Sequence, residues 1–96
     1  MSDWRETARE LVESKIVLTT KCLEQCLWTE HPQANGYVPD LTDDATAGVL
    51  LGMLARALGV DVYIAMQRVI RLAIYNKGIS IWGHAVALAL LEVHRG

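Results

Sequence analysis

Cys22, Cys26 and His31 are residue types that ligate metal. Zinc sites of the structural kind use four thiolate or imidazole ligands, with paired cysteines on a tight turn and a second pair elsewhere. Here the two cysteines stand four apart within a helical pattern, and only one further ligand follows them. Both fall on an apolar stripe, where cysteine acts as a small hydrophobe. The set predicts buried packing residues, with no metal and no cofactor.

Catalysis would need a nucleophile beside a base, carboxylates paired in an apolar pocket, or a glycine-rich phosphate loop. None of these is legible. His84 and His94 are ten residues apart on one apolar segment, so they point in different directions, and neither has an acidic neighbour at helical spacing. The expectation is a protein that is not an enzyme.

Two charged faces remain. Glu6, Glu10, Glu13 and Glu24 lie on one side of the first amphipathic segment, with Asp3 near its start. Arg9 is placed to neutralise Glu13 at one helical turn. The sharper reading is an acidic surface that engages a basic partner. Arg68 and Arg71, aligned with Ile64 and Tyr75, form the second face, and Arg and Tyr are types enriched at interface hot spots. Residues 1–43 carry four basic and eight acidic side chains, a balance of −4, and the remainder five and three, +2. The net charge of −2 argues against general affinity for nucleic acid.

The segment Leu54 to Val60, followed by a helical pattern, invites comparison with a helix-turn-helix. Its second half departs from that motif: Val62, Tyr63, Ile64 and Met66 stand where a recognition helix exposes polar residues, and Arg68 stands where an aliphatic is buried. A DNA-binding regulator is therefore the alternative reading.

Four helices must carry these faces. Trp4, Ala8, Leu11, Leu18, Cys22, Leu23, Cys26 and Leu27 recur at helical spacing from about Asp3 to Thr29, and Pro32 forces an exit. Val17 and Trp28 project from the opposite side and suggest a contact. Residues 30–41 are rich in turn formers, predicting an ordered surface loop in which Asn35-Gly36 could close a tight turn, although the flanks are short for a hairpin. Thr42 is placed as N-cap of a second, almost wholly apolar helix that Gly59 stops. Asp61 caps the third, with Val62, Met66, Val69, Ile70 and Ala73 as its buried stripe and an end at Gly78. Ser80 caps the fourth, which is apolar almost all round from Trp82 to Leu91.

Helices two and four thus lack a solvent face, although a monomeric bundle of 96 residues ordinarily exposes one side of every helix. Self-association would cover them. The small-residue strips Gly48 and Gly52, and Gly83 and Ala87 beside Trp82, are the surfaces expected to meet. No run reaches the length of a membrane span, and Met-Ser-Asp-Trp-Arg-Glu lacks the pattern of a signal peptide, which predicts the cytoplasm.

The run from Val38 to Leu51, Val-Pro-Asp-Leu-Thr-Asp-Asp-Ala-Thr-Ala-Gly-Val-Leu-Leu, resembles a segment of small uncharacterised bacteriophage and prophage proteins. In those a Pro-Asp-Leu-Thr-Asp run leads into an Ala-Thr-x-Gly helix. Asp44 stands where they commonly have proline, and Val49 where they commonly have cysteine. The resemblance covers the loop and second helix only, and no functional residue is carried over from it. It implies a mobile-element origin and a bacterial host, where such proteins frequently inhibit host machinery, CRISPR systems included.

Together these readings predict one all-α domain over residues 1–96, a compact, homodimeric bundle of about four helices. Its expected role is to bind a host protein through Glu6, Glu10, Glu13 and Glu24, or through Arg68, Arg71 and Tyr75.

Overall fold

A computed structural model describes residues 4–14, 26–31, 36–75 and 77–95. The order of elements is α1 (Trp4–Glu13), β1 (Trp28–His31), β2 (Gly36–Pro39), α2 (Asp44–Leu58), α3 (Val62–Val69) with a π-helical continuation (Ile70–Tyr75), and α4 (Trp82–Arg95). The chain is mostly helical, with four α-helices and a small sheet among the described residues.

The sheet corrects the all-α expectation. Trp28 and Thr29, placed at the end of the first helix by periodicity, lie in β1, which pairs antiparallel with β2 in the register Trp28↔Pro39 to His31↔Gly36. Tertiary hydrogen bonds explain the extended backbone. The Leu27 N–H donates to Thr46 Oγ1 at 2.9 Å, and its carbonyl accepts from Asp40 N at 2.8 Å. Both groups are therefore taken by residues far along the chain. Val38 and Pro39 face inward, and Trp28 packs against the core with its side chain half-buried. Trp28 makes its contact with the core, its expected companion Val17 and Cys22 lie outside the described residues, and Cys26 is buried.

A turn then feeds α2. Asp43 N donates to Asp40 O at 3.1 Å, and the Asp40 carboxylate accepts from Thr42 N at 3.0 Å and from the Thr42 hydroxyl. Thr42 is therefore engaged by Asp40, and the N-cap is Asp43, one residue later than expected. Its carboxylate accepts from Thr46 N and Thr46 Oγ1, each at 2.9 Å. Thr46 is fully buried and links β1, the turn and the helix start. At the other end Gly59 takes φ +68°, and Val60 N donates back to Ala55 O at 3.1 Å, closing the helix in a Schellman arrangement.

Helix α4 occupies the centre. It packs against α1, α2, α3 and the π-helical segment, and Ala85, Val86 and Ala87 are wholly buried. Its all-round apolar sequence is satisfied inside one chain, which removes the reason for placing α4 at a dimer contact. Its N-terminal turn lies against the chain just before α2: a Cβ built on Gly83 would sit 2.0 Å from the Leu41 carbonyl oxygen. Ile81 O accepts from Ala85 N at 3.0 Å, so Ile81 holds the cap position that Ser80 was expected to take.

Helix α2 does keep an outer side. Gly48 is exposed, Gly52 half-buried, and a Cβ on either would meet nothing within 4 Å. The close helix approach expected at these two glycines is thus not made among the described residues, where the close approach occurs at Gly83.

Candidate protein-interaction face

Helix α3 starts where Asp61 accepts from Ile64 N at 2.9 Å, and its axis is bent by 102° from that of α2. Only Ala65, Val69 and Ala73 of Val62–Tyr75 are buried. These small or β-branched residues make a seat narrow enough to leave the rest of the element outside. Val62 and Met66, expected in the buried stripe, are exposed, and Ala65 holds the core position that the apolar spacing had assigned to them.

The consequence is an apolar surface. Eight large hydrophobic residues are exposed among the described residues, and six belong to this element: Val62, Tyr63, Ile64, Met66, Leu72 and Tyr75. Tyr63 and Tyr75 are 68% and 79% exposed, so most of the surface of each residue faces solvent. The π-helical wind, a feature that recurs at functional sites, ends the element with Leu72 and Tyr75 outside and Ala73 inside.

Arg68 and Arg71 stand on the same element, both exposed. Neither makes an ion pair among the described residues. Beside Arg68 an apolar groove of about 160 Å³ opens between α2, α3 and α4, lined by Leu54, Leu58, Leu72, Ala89 and Val93, with Glu92 on its rim. Glu92 is engaged by Lys77.

The acidic face on α1 is different. Glu6 pairs with Arg9 at 2.6 Å, Glu13 with Arg9 at 3.4 Å, and Glu10 with Arg95 at 2.6 Å. The hydrogen bond and charge of Glu6, then the charge of Glu13, hold the Arg9 guanidinium above its usual pKa. All three carboxylates thus have cationic partners within the chain, while Glu24 lies outside the described residues. Exposed pairs of this kind contribute little stability, about 0–1 kcal/mol each, but the two arginines offset most of the charge of the three carboxylates.

The remaining sequence candidates are dispersed. Gly83 and Ala87 are buried and Trp82 half-buried, so only Gly48 and Gly52 of the expected self-association set lie open. His84 is buried, with Nε2 2.9 Å from Thr7 Oγ1, and ties α4 to α1; His94 is exposed near the C-terminal end of α4. No cluster of three or more metal-ligating side chains forms among the described residues. No single helix there is long and apolar enough to cross a membrane.

The sequence placed Ile64, Arg68, Arg71 and Tyr75 on the outer side of this element, where the structure has them exposed; Leu72 and the groove were not singled out from it. The signal was the Ala65, Val69, Ala73 spacing, a four-residue repeat of small and β-branched residues that marks the seat more narrowly than large hydrophobes do. No protein-family model, curated protein or solved structure matches the chain.

Proposed function

We propose that the protein is a non-enzymatic binding module that docks a protein partner on the Val62–Tyr75 face. The observation that carries this is the concentration, on one short element, of six of the eight large hydrophobics exposed among the described residues, beside two arginines that make no ion pair there. Large apolar side chains left in water are costly, and their concentration on one element is a mark of interaction sites. Between the two faces read from the sequence, the carboxylates of α1, each already paired with Arg9 or Arg95, favour the arginine face. The resemblance of Val38–Leu51 to phage segments supplies the class of target, a host protein such as a component of CRISPR defence, with the module acting as its inhibitor or modulator.

The test is comparative capture from a bacterial lysate. A partner retained by the wild type should be lost by Ile64→Asp with Tyr75→Asp, at unchanged helical circular dichroism, and kept by the Glu6→Lys, Glu10→Lys, Glu13→Lys variant. The reverse pattern would return the site to α1.

The second reading is a DNA-binding regulator. The 102° bend across Gly59, Val60 and Asp61 favours it, since it falls in the helix-turn-helix range. Val62, Tyr63 and Ile64, exposed where base-edge contacts begin, weigh against it. Salt-dependent retardation of a DNA duplex, lost in Arg68→Glu, would favour it.

A further inference from the structure

Resting on the reading of Val62–Tyr75 as a docking face, we propose that its occupant is an acidic amphipathic helix of a partner protein. One large apolar side chain of that helix fills the groove beside Leu72, and its flanking carboxylates pair with Arg68 and Arg71. Three observations converge on this occupant.

The groove is the first. It lies between Leu54 of α2, Leu72 and Val93 of α4, and its volume of about 160 Å³ is close to that of a cavity that accepts a benzene ring, about 150 Å³. A phenylalanine or leucine side chain is the occupant of that size and polarity. Amphipathic helices lay such anchors into apolar grooves at three- and four-residue spacing.

Charge is the second. Arg68 lines the groove and Arg71 lies one turn further, neither with an ion-pair partner among the described residues. The element's sole carboxylate, Asp61, is at the helix start and accepts from Ile64 N. Glu92, which also lines the groove, is paired with Lys77, which offsets its charge. A helix presenting Asp or Glu beside its apolar anchors therefore matches the face, and a basic one is repelled by it.

The third disfavours a second copy of this chain. An isologous contact through the face would bring Arg68 and Arg71 of both protomers onto one small patch. The acidic surface another copy could offer, on α1, has Glu6, Glu10 and Glu13 already paired with Arg9 and Arg95.

The experiment measures fluorescence anisotropy of two labelled peptides on the full chain. Both carry leucine and phenylalanine at the same helical positions; one has glutamates on its flanks and the other lysines. Amide chemical shifts map the site, anionic phosphatidylglycerol vesicles test a lipid surface, and sedimentation gives the oligomeric state. The expected result is binding of the glutamate peptide with shifts at Leu54, Leu72 and Val93. Its affinity should fall with added salt and by about tenfold or more in Arg68→Glu, Arg71→Glu, and the lysine peptide should then become the preferred ligand of that variant. Equal binding of both peptides at the same residues overturns the acidic occupant and leaves the docking face standing. Vesicle binding without peptide binding overturns the proposal in favour of lipid. A concentration-dependent dimer abolished by Ile64→Asp overturns it in favour of a second copy. If no peptide binds and Ile64→Asp with Tyr75→Asp also leaves lysate capture unchanged, both the occupant and the face fail.

Discussion

Gly83→Ala should destabilise this protein, although the same exchange ordinarily stabilises a helix. In a solvated helix interior, alanine is favoured over glycine by about 1 kcal/mol. At Gly83 the new Cβ would lie 2.0 Å from the Leu41 carbonyl oxygen, 2.9 Å from its carbonyl carbon and 3.2 Å from its Cα. Carbon and carbonyl oxygen approach to about 3.3 Å even in favourable contacts, so more than an ångström of separation is required. Neither side can yield locally. Ala85, Val86 and Ala87 on the next turn of α4 are wholly buried, and Leu41 is itself in the core and held within the Asp40–Asp43 turn. Forcing extra atoms into such packing costs about 1–3 kcal/mol and sometimes more. The net expectation is a loss of about 2 kcal/mol, which for a domain of this size lowers Tm by about 10 °C. Gly48→Ala and Gly52→Ala, where a Cβ meets nothing within 4 Å, should instead gain about 0.5–1 kcal/mol each. Urea unfolding followed by far-ultraviolet circular dichroism reads all three. Unchanged or increased stability of Gly83→Ala would refute the close approach. A loss at Gly48 or Gly52 would place a neighbour on that strip and support self-association there.

Thr7→Val should cost about 1–3 kcal/mol, because it removes the hydroxyl bonded to buried His84, whereas Thr7→Ser should keep most of the stability; urea midpoints separate the two. Asp43→Ala removes the acceptor for Thr46 N and Thr46 Oγ1, and a loss of about 1–2 kcal/mol is expected. Hydrogen exchange should show the opening spreading to Leu27, whose N–H donates to Thr46, and an effect confined to α2 would count against the link. Reversing Glu10 to Lys breaks only an exposed pair with Arg95 and should change stability by less than about 1 kcal/mol; a larger loss by thermal unfolding would show that the pair holds α1 to α4.

Much of the helical framework was legible in the sequence because its signals are local. Asp61 caps α3 through an acceptor three residues from its donor, and Gly59 stops α2 through a positive φ that side chains with a Cβ rarely adopt. The exposed line of Ile64, Arg68, Arg71 and Tyr75 also followed from helical spacing alone. The hairpin was not legible. Trp28 and Thr29 continue an amphipathic pattern, and what holds them extended is pairing with Val38 and Pro39 and the capture of Leu27 by Thr46 and Asp40.

By itself, then, the sequence determined where helices two, three and four begin and where the second and third end, to within a few residues, and that the third carries two arginines and Tyr75 on its outer side. The tertiary structure decided which apolar surfaces are spent inside the chain. It packed four elements against α4, so that most of its unbroken apolar sequence became a core, and it seated the third helix on Ala65, Val69 and Ala73 alone. Periodicity reports that an element has an apolar side. Whether that side is covered depends on how closely the neighbouring helices approach, and here Gly83 allows α4 to rest against Leu41 while Val62, Met66 and Leu72 are left facing solvent.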